Sequence, residues 1–252
     1  MNTILQLSDT HIVPEGTLAT GGLDTAEVLA RLVTRIQTLH NQLGPIHAVL
    51  VSGDLTDDGS AESYARFKQL IAPLQMPTFV IPGNHDARAP MRAAFADQFP
   101  DMGPLDWDRR IGDIHMIGLD SLVEGVELGT LAPASIDFLQ AALQRADGSP
   151  VLLALHHPPF ICGIDFMDEI NLTNKDAFHD AVASYSGEIR IVCGHIHCTM
   201  IRTVVGQVAI SAPAPGNSFA FDRPVDAPEN FQTREDGCLL HRWDGGFQTI
   251  HI

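Results

Sequence analysis

Thr3-Ile4-Leu5-Gln6-Leu7-Ser8-Asp9-Thr10-His11 decides how the chain is read: a largely apolar run gives way to a short polar triplet ending on an imidazole. The same pattern returns four times. Ala48–Ser52 runs into Gly53-Asp54, and Thr78–Pro82 into Gly83-Asn84-His85-Asp86. Val151–Leu155 leads to His156-His157, and Ile189–Cys193 to Gly194-His195-Ile196-His197. Near-continuous apolar runs of this length read as strands buried on both faces. His115–Leu119 reads as a further strand.

Helical patterns fill the intervals. Asp24-Thr25-Ala26-Glu27 has the form of a capping box. Leu29, Leu32, Val33, Ile36, Leu39 and Leu43 then form one apolar stripe, stopped at Gly44-Pro45. A second helix is expected from Ser60, a third over Pro133–Arg145 and a fourth after Asn174. Alternating strand and helix argues for an α/β sandwich. After residue 198 the pattern changes to short strands (Met200–Val205, Val208–Ser211, Gly237–Trp243, Phe247–Ile252) that read as hairpins. The chain reads as one domain over 1–252, with a Pro-rich loop and C-terminal hairpins after about residue 211. Long loops are expected at Ile12–Leu23, His157–Asn174 and Ala212–Asp236; such loops are usually functional, and the two that follow motifs should rim one pocket.

Bulk composition narrows the partners. Of 252 residues, 45% are hydrophobic, enough for a sizeable core, and Lys plus Arg number 15 against 31 Asp plus Glu. A net charge of −16 repels nucleic acid polymers and anionic membranes. No apolar run approaches a membrane span, and no basic or apolar leader precedes Asp9. Cys162, Cys193, Cys198 and Cys238 form no CxxC pair, so a reduced, cytoplasmic setting is expected.

In an open α/β sheet, ligands bind beyond the carboxyl ends of the strands. Asp9, Asp54, Asn84, His156 and His195 all fall at or just past such ends. Imidazole and carboxylate donors without thiolate suit zinc, manganese or iron. In Asp9-x-His11 and His195-x-His197, extended backbone would turn alternate residues to one side. Seven candidate ligands exceed one tetrahedral site, which points to two ions sharing a carboxylate. Two ions roughly 3.5–4 Å apart suit in-line displacement at phosphorus.

The ordered set D-x-H, G-D, G-N-H-D, H-H and G-H-x-H resembles that of the calcineurin-like metallophosphoesterases, over residues 3 to 211. Its spelling is nearest the class III cyclic nucleotide phosphodiesterase and bacterial glycerophosphodiesterase branch. The resemblance implies an αββα sandwich of two mixed sheets flanked by helices. It implies that Asp9, His11 and His197 hold one ion and Asn84, His156 and His195 the other, with Asp54 bridging. The ions would be divalent or trivalent (iron, manganese or zinc), activating a hydroxide for in-line attack. His85 would stand near the leaving group as hydrogen-bond donor or general acid, and Asp86 would support the loop.

Several residues have quieter readings. His157 reads as structural, or alternatively as a substrate contact, and Cys193 as the last buried residue of a strand. Phe160, Phe166 and Met167 read as core or as an apolar wall for a base or alkyl group. The loops Ile12–Leu23 and His157–Asn174 carry no Lys or Arg; the nearest cations are Arg88 and Arg202, with Arg223 and Arg234 in the late loop. A dianionic monoester usually recruits an arginine clamp, so a monoanionic diester is expected. The expected substrate is a small phosphodiester of the 3',5'-cyclic nucleotide type, with a glycerophosphodiester or other alkyl or aryl diester as the alternative. A non-catalytic metal-binding scaffold should have lost ligands, which this chain has not. A homodimer stays open. Related enzymes commonly carry another His after the last core strand; this chain has Pro213-Ala214-Pro215-Gly216-Asn217-Ser218-Phe219.

Overall fold

The computed structural model describes residues 1–219, 231–233 and 237–252, so Arg223, Arg234 and much of the Ala212–Asp236 loop lie outside the described residues. The elements run β1 (Asn2–Leu7), α1 (Thr25–Leu43), β2 (Ala48–Ser52), α2 (Ala61–Ile71), β3 (Thr78–Ile81), α3 (Arg88–Ala94), β4 (Trp107–Ile111) and β5 (Ile114–Gly118). They continue with α4 (Pro133–Ala146), β6 (Val151–Ala154), α5 (Asp165–Glu169), α6 (Lys175–Ala183), β7 (Ile189–Cys193), β8 (Met200–Val204) and β9 (Gln207–Ser211). The last are β10 (Asn217–Phe219), β11 (Phe231–Thr233), β12 (Leu239–Trp243) and β13 (Phe247–His251).

Two mixed sheets result, one of five strands in the order β13-β12-β1-β2-β3 and one of six in the order β4-β5-β6-β7-β9-β8. Within each, the strands that end on motifs run parallel: β1 with β2 and β2 with β3, then β6 with β7. Their carboxyl ends therefore emerge along one edge of each sheet. Alternation places Leu152 and Ala154 of β6 in the core shared with the first sheet, while Val151 and Leu153 pack with α4 and α6. Apolar side chains on both faces explain the unbroken hydrophobic runs.

A buried amide pins the layers together. Gln6 Nε2 donates to Ser52 Oγ at 2.8 Å and to Cys193 O at 3.1 Å, while Gln6 Oε1 lies 2.8 Å from His241 Nε2. The latter strand, β12, pairs antiparallel with β1, so the C-terminal hairpin completes the first sheet.

Helix starts follow their expected caps. Asp24 Oδ1 accepts from Glu27 N at 3.0 Å and Ser60 Oγ from Ser63 N at 3.1 Å. The sequence pattern did not announce α3, β4 or α5. The short helices fall below the length at which periodicity is diagnostic, and β4 carries Asp108, Arg109 and Arg110 at a sheet edge.

Candidate metal centre

The backbone kinks after β1, β2 and β7, and this brings most of the motif residues together. Asp9, His11, Asp54, His195 and His197 all adopt positive φ, at 52°, 43°, 49°, 70° and 50°. The pairs Asp9/His11 and His195/His197 therefore converge through left-handed turns, not through extended backbone as their spacing suggested. Such conformations cost on the order of 1–3 kcal/mol each and persist where the surroundings over-determine them. Here Asp9 N donates to Gly53 O and His11 N to Asp54 O, both at 3.0 Å, locking the loop after β1 to the loop after β2. The space is tight: a Cβ on Gly53 would lie 2.2 Å from His156 Nδ1.

All seven expected ligands come together. One cluster of mutually close donor atoms is Asp9, His11 and His197; a second is Asp9, Asp54 and His156. Asn84 Oδ1 lies 3.2 Å from His156 Nε2 and 3.0 Å from His195 Nδ1. His156 Nε2 is 3.3 Å from Asp54 Oδ2, which places Asp54 between the two groups, 3.7 Å from His11 Nε2.

The hydrogen bonds behind the rings test whether cations fit. His11 Nδ1 donates to Asp57 Oδ1 at 3.1 Å, and His197 Nδ1 to Asn217 Oδ1 at 2.8 Å. Both outer nitrogens thus carry protons. In their neutral forms the two rings aim Nε2 lone pairs at each other across 3.2 Å. His156 Nδ1 likewise donates to Ser52 O at 2.8 Å, turning Nε2 toward two oxygen acceptors. Among the described residues, buried Asp9 Oδ2 finds no donor. Ring nitrogens and carboxylate oxygens converging on one point, with hydrogen bonds from behind fixing the rings, fit the donor set of a metal site.

The electrostatics agree. Burial opposes charge on His156, yet the carboxylates of Asp54 and Asp9 outweigh it and raise the ring to about 9. Asp54, despite burial, is held well below the usual carboxylate range by His156, His11 and His85. Burial and the neighbouring rings lower His195, and burial brings His197 down to about 4. The acids demand positive charge, and these two buried rings resist supplying it as protons.

His85 lines the cavity beside the cluster, its ring edge-on to His11 at 4.7 Å between centroids. Its backbone N donates to Asp54 Oδ1 at 2.8 Å, and Nδ1 donates to Asp57 O at 3.1 Å. Asp57 was not anticipated: one residue steadies both His11 and His85, and no motif spelling marks it. Asp86 lies beneath the floor, its two oxygens taking five donors: Leu55 N, Gly83 N, Thr56 N, Thr56 Oγ1 and the Tyr64 hydroxyl. His157 is buried and held at both ring nitrogens, beside His156 and His195. Its Nδ1 lies 2.8 Å from Ser121 Oγ and its Nε2 3.0 Å from Glu127 O, and burial pushes it down to about 3.

The cavity above the cluster holds about 440 Å³. Three loops line it: Ala19 from the first, Phe166, Met167, Glu169 and Ile170 from the second, Asn217 and Phe219 from the third. Phe160 packs in the core. Arg88 is turned away, bidentate on Asp120 at 2.7 and 2.9 Å, and Arg202 is exposed on edge strand β8. Among the described residues, no Lys or Arg lines the cavity.

The cluster lies at strand ends of the two mixed sheets, with donors that could hold metal ions. The family model described as calcineurin-like phosphoesterase matches residues 2–199, and the chain belongs to that family. The 3',5'-cyclic adenosine monophosphate phosphodiesterase CpdA of Pseudomonas aeruginosa is 33% identical over 243 residues, covering 94% of this chain and 87% of the relative. A probable glycerophosphodiester phosphodiesterase of Arcobacter nitrofigilis is 31% identical over 243 residues, covering 95% and 88%. In architecture, a dimetal phosphatase from Danio rerio superposes with a TM-score of 0.70 at 13% identity, covering 99% of this chain and 98% of that one. Among the described residues, no helix is long and apolar enough to cross a membrane.

Proposed function

We propose that this protein is a dinuclear, metal-dependent phosphodiesterase acting on small diesters of the 3',5'-cyclic nucleotide type. Asp9, His11 and His197 would hold one ion, Asn84, His156 and His195 the other, and Asp54 would be shared. The donors suit manganese, iron or zinc. When bound, the ions activate a water nucleophile and neutralise charge on the phosphoryl oxygens. The chain's own residues do the rest. Asp54 holds the two donor groups in register and fixes the His85 backbone. His85, anchored through Nδ1, turns Nε2 toward the leaving oxygen, and as an imidazolium it would deliver the Nε2 proton there and be left neutral. The rim excludes water and seats the organic part of the ester.

One observation carries the choice of diester: a 440 Å³ cavity whose described lining has acids and aromatics but no cation beyond histidine. A monoester dianion would face Glu127 and Glu169 with no guanidinium among the described residues to receive it, whereas a diester carries one charge. Phe166 and Phe219, with ring centroids 5.2 Å apart, offer a wall for a base. The second reading, a glycerophosphodiester, is favoured by the same two glutamates, which can accept from glycerol hydroxyls.

Steady-state assays on 3',5'-cyclic AMP, a glycerophosphodiester, bis(p-nitrophenyl) phosphate and p-nitrophenyl phosphate test this. Diesters should lead in kcat/KM, with cyclic AMP first. A glycerophosphodiester in first place selects the second reading, and a strong preference for the monoester overturns both.

A further inference from the structure

His11 and His197 face each other at the floor, and each is gripped from behind by a different chemistry. Behind His11 stands the Asp57 carboxylate; behind His197 stands a neutral amide, Asn217 Oδ1, at 2.8 Å. Asn217 belongs to β10, and residues two apart on a strand share a face. Phe219 therefore meets the same ring, with centroids 4.9 Å apart and planes at 43°. Ala214 N, just before β10, donates to His197 O at 3.3 Å. The segment thus touches His197 at backbone, ring nitrogen and ring face.

His197 needs such a grip. Its φ of 50° places it past the end of β7, where no strand register fixes its direction. A neutral imidazole also has two tautomers, and only the one protonated at Nδ1 offers a lone pair at Nε2, 3.5 Å from Asp9 Oδ1.

We propose that Asn217 is a positioning residue for the metal centre: by accepting from His197 Nδ1–H it selects the tautomer that presents Nε2 to the ion held with Asp9 and His11. Phe219, two residues on, holds the ring plane and continues as the substrate wall toward Phe166. The inference rests on the dinuclear reading above. It makes the segment after β9 part of the centre. An amide polarises the imidazole less than a carboxylate does, so His197 is set as a weaker donor than His11.

The experiment titrates chelator-stripped protein with Mn²⁺ by calorimetry at fixed pH. Wild type should take two equivalents. Asn217→Leu, similar in volume but without an acceptor, should weaken one of them by roughly 10–100-fold and spare the other. Asn217→Asp should restore it or tighten it beyond wild type. A separate readout is the ¹⁵N shift pattern of His197 in the metal-free protein, which should report Nδ1–H in wild type and Asn217→Asp and a mixture in Asn217→Leu. A titration of Asn217→Leu that superimposes on wild type overturns the proposal, as does a loss that Asn217→Asp fails to restore. Should Asn217→Leu not fold, a wild-type ring protonated at Nε2 overturns it equally. Wild type taking no Mn²⁺ would defeat the dinuclear reading instead, and the tautomer would still decide the role of Asn217.

Discussion

The floor of the cavity draws its donors from strand ends in both sheets, whereas its wall hangs on three connecting segments. Most floor residues are buried, five of them in left-handed turns, and the loops are tied by backbone bonds such as Asp9 N to Gly53 O. Wall residues such as Phe166 and Ile170 are partly exposed, packed against the core on one side and facing the cavity on the other. The difference teaches where chemistry and selectivity reside. A charge-neutralising site has to be preorganised, because moving buried carboxylates during a reaction would forfeit what the ions contribute. Selecting an organic group needs only a surface of the right shape. Floor substitutions should therefore change kcat or metal content, and wall substitutions KM.

The largest effect falls on Asp54, which faces His156 and His11 and anchors His85. Asp54→Ala should abolish turnover and impair Mn²⁺ binding at both positions. Near-normal activity, or loss of a single equivalent, would break the shared role. Next comes His85→Ala, with two equivalents of metal retained and kcat lowered by roughly 10²–10⁴. Loss of metal would move His85 from proton donor to ligand, and unchanged kcat would remove it from the chemistry.

Beneath the floor, Asp86 extends the comparison to a residue that touches no substrate. Burial and the nearby Asp54 push its carboxyl up, but five donors converge on it and require an ionised acceptor. Asp86→Asn turns an NH₂ toward those donors. It should cost about 2–3 kcal/mol in the metal-free protein, read as a lower denaturation midpoint. Activity should fall about 10-fold as Asn84 and Asp54 lose alignment, in line with losses at supporting groups. An unchanged midpoint would show that the loop is held by packing instead.

Floor and wall were unequally legible in the sequence. The candidate ligands could be picked out because their motifs follow strand runs, which declare themselves by composition. Their convergence could be inferred from topology, since parallel strands end on one edge. How they converge could not: positive φ at His11 or His197 leaves no signature in a residue that is not glycine. Partners behind the rings were hidden for another reason. Asp57 lies 46 residues from His11, and Asp86 meets Thr56 and Tyr64 from 30 and 22 residues away. Such pairs appear only once the sheets are stacked. The Asn217 departure was visible, but not that it faces His197. For the wall, the absence of Lys and Arg from the first two loops was legible, while α5, which carries Phe166 and Met167, was too short to announce itself.

The smallest effect is the one that tests the division most directly. Phe166 lines the cavity from α5, edge-on to Phe219, which in turn meets the His197 ring. Aromatic pairing of this kind contributes about 0.5–1.5 kcal/mol beyond area burial, which corresponds to roughly 2–10-fold in affinity. Phe166→Ala should therefore raise KM for 3',5'-cyclic AMP by about that factor while leaving kcat and Mn²⁺ stoichiometry at wild-type values. For a substrate without a ring the change should be smaller, so a side-by-side titration with a glycerophosphodiester separates base contact from general loosening. If kcat falls with KM unchanged, the wall is part of the preorganised centre, acting through Phe219 on His197. The boundary between floor and wall would then have to be drawn outside Phe166.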